Sequence, residues 1–190
     1  MHSMDRKEIL RYLRTNSKTE DPAVLALVDE AAAAVEKAAV PKTLYRVFPC
    51  EADENGVTIG GWRFESKRLA QTVKGCPQAA VFGATLGIGV DRLIQQASAT
   101  EMALAVALQA AAAAEIEEVC DELEEQIRRE HGVSLRQRYS PGYFDLDITA
   151  QRSLFQMIEI TKRIGITLTD SCEMAPSKSV TAIIGIEDSV

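Results

Sequence analysis

The stretch of sequence best equipped for chemistry is Arg138-Tyr139-Ser140-Pro141-Gly142-Tyr143, which sets an arginine and two tyrosines around a Pro-Gly pair. Pro-Gly favours a tight turn, because proline fixes the first central φ and glycine accepts the positive φ that can follow. An arginine fork can grip a carboxylate through two charge-assisted hydrogen bonds, and a tyrosine supplies an aromatic face and a hydroxyl. Such a set suits an amino-acid-like ligand. On residue chemistry alone it suits a purely structural loop equally well.

Other candidate chemistry is sparse. The glycine-rich segment Gly83-Ala84-Thr85-Leu86-Gly87-Ile88-Gly89-Val90-Asp91 reads as a strand-to-helix turn of the kind that often brings backbone close to a ligand. It carries Arg92 where a dinucleotide fingerprint needs its third glycine, and it lacks the Gly-Lys-Ser/Thr of a phosphate loop. A structural turn is the default reading. Cys50, Cys76, Cys120 and Cys172 are far apart with no C-x-x-C pair, and the histidines are only His2 and His131. That pattern predicts small buried thiols, no bound metal and no intrinsic cofactor. No Ser/His/Asp or Cys/His constellation stands out.

Composition narrows the setting. At 190 residues the chain can bury one sizeable core, with 46% apolar and 26% charged residues. A formal charge of −7 without a basic run, and 5% aromatic residues, argue against nucleic acid as a partner. The apolar stretches are too short to span a membrane. Reduced thiols and the lack of a signal-peptide pattern predict a cytoplasmic protein.

Periodicity supplies the elements that must hold the arginine loop. A short helix is expected over residues 5–14, and a second starts where Asp21 caps it and Pro22 fits the first turn, stopping before Pro41. Val24, Leu25, Val28 and Val35 form its apolar stripe. Extended runs at 44–48 and 57–59 flank the turn residues Asp53-Glu54-Asn55-Gly56. A helix over 66–73 leads to a central strand at 79–82. A long Ala-rich helix over about 99–129 carries Ile116, Val119, Cys120, Leu123 and Ile127 at helical spacing. A third main helix is expected over 150–163, ending at Gly165. Strands at 166–169 and 180–186 flank the turn-rich 174–177. The order fits an α+β fold, a twisted, mostly antiparallel sheet with flanking helices.

Arg138-x-x-x-Gly142-Tyr143 resembles the motif by which the reactivation (activation) domain of cobalamin-dependent methionine synthase holds S-adenosylmethionine. The resemblance continues collinearly through Thr161-Lys162-Arg163-Ile164-Gly165, Leu168-Thr169-Asp170-Ser171, Met174-Ala175-Pro176 and Ser179-Val180. Upstream it includes Thr85-x-Gly87-Ile88-Gly89 and the helix end Ile127-Arg128-Arg129. It covers residues 78–186 closely and 1–77 loosely, so the whole chain reads as a single domain of this kind.

The resemblance implies S-adenosylmethionine bound in a shallow groove on the sheet, with cobalamin carried by a partner protein. It implies reductive reactivation of cob(II)alamin, in the service of methionine biosynthesis. The cofactor-binding residues it implies are Arg138 on the methionine carboxylate, Tyr139 through its backbone, Tyr143 at the sulfonium, the intervening Ser140, Pro141 and Gly142, and Glu117 as the acidic residue of the long helix. It assigns no catalytic side chain, so the protein would act as an accessory subunit of a methyltransferase.

The implied partners are a methionine synthase lacking this domain, or another corrinoid protein, together with a flavodoxin- or ferredoxin-type electron donor. A non-catalytic module that senses S-adenosylmethionine or docks to a corrinoid protein is the alternative. Three departures bear on it: the family's ligand-binding N-terminal Asp is matched no better than by Asp5 or Asp21, Ala113 stands where an acidic residue is expected, and no corrinoid domain is attached, so action would be in trans.

Overall fold

The computed structural model describes residues 5–14 and 19–187, and His2 lies outside them. Eight strands occur within these residues: β1 (Lys42–Ala52), β2 (Val57–Ile59), β3 (Trp62–Phe64), β4 (Gln78–Thr85), β5 (Ser134–Leu135), β6 (Thr167–Leu168), β7 (Met174–Ala175) and β8 (Ser179–Glu187). Six of them build one antiparallel sheet in the order β3-β2-β1-β4-β8-β5. The expected α+β architecture is therefore the observed one.

The middle of the sheet is covered on both faces. Side-chain alternation sends Ala80, Phe82 and Ala84 of β4 with Ala182, Ile184 and Ile186 of β8 into one core, and Ala79, Val81 and Ile183 into a second. A strand covered twice has no polar face, which is why residues 79–82 read as one continuous apolar run.

The first core is closed by α1 (Arg6–Tyr12), α2 (Pro22–Ala38), α4 (Ile88–Thr100) and α5 (Met102–His131). Asp5 accepts from Lys7 N at 2.8 Å and Asp21 from Ala23 N at 2.9 Å, so each aspartate satisfies one otherwise orphaned donor at a helix start. Helix α5, 30 residues and ~45 Å long, carries the buried alanines 105, 107, 110, 111 and 112. Their small side chains let α1, α2 and α4 pack closely against one rod.

The second core is closed by α3 (Lys67–Thr72), α6 (Ala150–Met157) and α7 (Ile160–Ile164). Ser66 caps α3, accepting from Leu69 N at 2.9 Å.

Three boundaries differ from expectation. Ala99 and Thr100 belong to α4, and the long helix begins only after Glu101, whose extended backbone separates the two. The helix expected over 150–163 is two helices, because Glu159 has a positive φ of 53°. Ile158 and Ile160 are both fully buried, yet residues two apart on a continuous helix point in nearly opposite directions. The left-handed residue re-phases the chain so that both isoleucines reach the same core. Finally, Met174 and Ala175 are not turn: they form β7 and pair with β6 in a separate two-stranded sheet.

Candidate functional site

A cleft of about 690 Å³ opens at the edge of β8, where α5 on one face of the sheet and α6 on the other come nearest to the 138–144 loop. The loop runs alongside β8 as far as Tyr139, whose N–H and C=O both bond to Ile183 at 2.9 Å. It then turns away. Tyr143 N–H donates to Ser140 O at 3.3 Å around Pro141 and Gly142, and Gly142 has a φ of 86°. That is the turn the Pro-Gly pair predicts, with the positive φ at its second central residue. A Cβ on Gly142 would stand 3.0 Å from Ile148 Cδ1, so glycine is favoured there by space as well as by conformation.

Arg138 is brought to the cleft on the α5 side, where three acidic side chains meet it. Its Nη1 donates to Asp121 Oδ1 and Glu124 Oε1, each at 2.6 Å, and its Nη2 donates to Glu117 Oε2 at 2.5 Å. Positions 117, 121 and 124 share one face of α5 because they are four and three residues apart. Burial works against the guanidinium charge, but the bonds to Asp121, Glu124 and Glu117 outweigh it and hold its pKa above the ordinary value. The cation is permanent. These acids account for three of the five guanidinium donors, and the remaining two are available to a further carboxylate.

The aromatic residues divide the rest of the loop's work. The Tyr139 ring is buried, and its hydroxyl donates to Asp145 Oδ1 at 3.3 Å and to Tyr143 O at 3.4 Å. Burial pushes the Tyr139 phenol up from its usual range. Asp145 is held below the usual carboxylate range, chiefly by the Ser66 hydroxyl at 2.5 Å, and it also accepts from Arg68 N. The loop is thereby fastened to the start of α3. Tyr143 and Phe144 are 65% and 81% exposed on the cleft's rim, and the Arg68 guanidinium lies 5.4 Å from the Phe144 ring centre.

The structure thus brings Arg138, Tyr139, Ser140, Pro141, Tyr143 and Glu117 to one cleft, with Gly142 shaping its loop. The Tyr139 N–H and C=O each pair once with Ile183, and the residue lines the cleft. Asp5 and Asp21 do not line the cleft; both are spent capping helices. Ala113 lies one turn before Glu117 on α5 and brings no charge.

Sequence reasoning missed Asp121 and Glu124, although their spacing from Glu117 on a helical face was a usable signal. It also missed Gln151 and Thr181, whose hydrogen bond at the cleft crosses 30 residues of sequence.

The Thr85–Gly89 turn is fixed by its own bonds and by close packing on α2. Gly87 N donates to Thr85 Oγ1 at 3.1 Å, and a Cβ on Gly89 would stand 2.5 Å from Ala38 O of α2. The four cysteines are unpaired and buried. Among the described residues no His, Cys, Asp and Glu cluster is arranged to hold a metal ion, and no helix is long and apolar enough to cross a membrane.

The model of the family described as "Vitamin B12 dependent methionine synthase, activation domain" matches residues 69–189, well over half of the chain, and the chain belongs to that family. Among solved structures it is similar to "Crystal Structure of the MetH Reactivation Domain bound to AdoHcy", with a TM-score of 0.72 at 16% identity. The similarity covers 99% of this chain and 75% of that one, and it establishes a shared fold. No curated protein matches the sequence significantly.

Proposed function

We propose that the cleft binds S-adenosylmethionine and that the protein supports, in trans, the reductive reactivation of a corrinoid held by a separate methionine synthase or related protein. The observation that carries this reading is Arg138, a half-buried permanent cation at a cleft of ligand size, with two donors left over by its three acids. Bound S-adenosylmethionine supplies an electrophilic methyl group, and a flavodoxin- or ferredoxin-type donor supplies the electron.

The chain's own residues bind and orient. Arg138 fixes the ligand's carboxylate, while Glu117 and Glu124 favour the ammonium and sulfonium charges nearby. Tyr143 on the rim offers an aromatic face to the sulfonium region. Catalysis by such a site is positioning, which requires no side-chain nucleophile. Family membership, together with a solved relative described as bound to AdoHcy, supports the ligand class. Buried, unpaired cysteines fit a cytoplasmic setting.

A second reading, a non-catalytic sensor of S-adenosylmethionine or a docking module for a corrinoid protein, is favoured by the placement of Asp5 and Asp21 away from the cleft.

One assay separates them. An oxidised methionine synthase lacking this domain, given S-adenosylmethionine and an electron donor, is expected to regain turnover when the chain is added. No recovery, with ligand binding shown by calorimetry, would rule out the reactivation role and leave the sensor.

A further inference from the structure

Across the β8 edge from Arg138 is a polar feature that carboxylate binding leaves unused. Gln151 of α6 is only 4% exposed, yet it lines the cleft. Its Oε1 accepts the Thr181 hydroxyl at 2.5 Å, which sets the orientation of the amide. The two N–H donors of Nε2 have no acceptor among the described residues. Among the described residues no buried side-chain nitrogen or oxygen lacks a partner, so these donors open onto the cleft itself, where a bound ligand can receive them.

Thr181 adds main-chain groups of both kinds. Ile183 spends its N–H and C=O on Tyr139, so both point away from β4. In an antiparallel ladder the next residue facing that way is two along, which is Thr181, opposite Gly83 of β4. The companion chain has already turned off at Pro141-Gly142, so among the described residues nothing bonds the Thr181 N–H or C=O. The cleft therefore contains a short open strand edge with donor and acceptor side by side.

The two ends of the cleft come from opposite faces of the sheet. Arg138 is held from the α5 face, and the Thr181 side chain points to Gln151 on the α6 face. An extended ligand anchored by its carboxylate at Arg138 passes round the β8 edge and ends beside Gln151. We propose that the Gln151 amide and the open edge at Thr181 recognise the hydrogen-bonding edge of a 6-aminopurine, making them the base-specificity determinants of this cleft. This rests on the S-adenosylmethionine reading.

Adenine sets an amino donor beside a ring-nitrogen acceptor, and a glutamine amide pairs with that pattern bidentately. The Thr181 N–H and C=O offer the same complementary pair. Hypoxanthine puts a carbonyl where adenine has its amino group, so an acceptor would meet the Thr181 C=O. A site built to receive a donor rejects a ligand that lacks it.

Calorimetric titration of the full chain with S-adenosylhomocysteine and S-inosylhomocysteine tests this. The wild type is expected to prefer the adenosyl ligand by about 10-fold or more, and Gln151→Met to weaken adenosyl binding by about 3- to 10-fold while narrowing that preference. Arg138→Ala should weaken both ligands alike and keep the ratio, since it acts at the other end. Should Gln151→Met fail to fold, Thr181→Val gives the same readout, because it removes only the hydroxyl that orients the amide. Equal affinity for the two nucleosides in the wild type, or an undiminished ratio in the folded variant, would overturn this inference alone. Binding of neither ligand by the wild type overturns it together with the proposed function.

Discussion

Replacing Arg138 should damage two properties that can be measured separately. Of its three acidic partners, Asp121 and Glu117 have side chains 69% and 42% exposed, so those pairs contribute about 0–1 kcal/mol each. Glu124 is only 10% exposed, and a charged hydrogen bond of that kind is worth about 1.5–3 kcal/mol. Arg128, 3.1 Å from Glu124, limits the loss. Arg138→Ala should therefore cost about 2–3 kcal/mol of stability, or about 4–12 °C in Tm.

A residue on a turn outside the apolar core would ordinarily be replaced at little cost; the acids on α5 add the penalty. Affinity for S-adenosylmethionine should also fall, by about 10- to 150-fold, because the ligand carboxylate loses its paired donors. Arg138→Lys should recover part of each, since an ammonium supplies charge without the planar fork. Combining Arg138→Ala with Glu124→Gln separates the effects: removing the stranded charge should restore much of the Tm and none of the affinity. Thermal melts and calorimetric titration of the three variants provide the test. Unchanged affinity in Arg138→Ala would refute the binding role outright.

Gly89→Ala should destabilise by about 1–3 kcal/mol in urea unfolding, because the added methyl would stand 2.5 Å from a backbone oxygen of α2; a neutral outcome would mean that this contact relaxes freely. For Tyr45, burial and then the hydrogen bond to Glu130 push the phenol up to about 12. Its folded pKa exceeds the ordinary value near 10, so its contribution is intact below about pH 10 and lost as pH rises through about 12. Spectrophotometric titration should show Tyr45 and Tyr139 both ionising late, with Tyr45→Phe removing the Tyr45 component and leaving that of Tyr139, and a titration left unchanged by Tyr45→Phe would contradict the assignment.

The parts of the fold legible in sequence were those where a local rule and the tertiary environment agree. Asp21-Pro22 starts α2 because capping and the fixed φ of proline are local effects, and residues 79–82 read as central because both faces are covered. The split at Glu159 was invisible, since only the demand that Ile158 and Ile160 enter one core forces a left-handed residue into a helical pattern. Strand β7 was hidden for a similar reason: Met174-Ala175 is extended because β6 is beside it, and two residues carry no periodicity.

The candidate site followed the same division. The Pro-Gly turn and Arg138 declared themselves by residue type, whereas Gln151 gained its place only when α6 packed against β8. A helical glutamine far from the motif has no mark that separates it from any solvated one.

Helix α5 has a consequence for how such a protein can diversify. Its alanine face fixes the spacing of the helical layer, while Glu117, Asp121 and Glu124 meet Arg138 from another face. Charge at the cleft can therefore be rewritten one residue at a time on a rod whose position is set elsewhere. Descendants of this chain could drift in ligand preference without first renegotiating the core, and selection on the two faces of one helix would proceed almost independently.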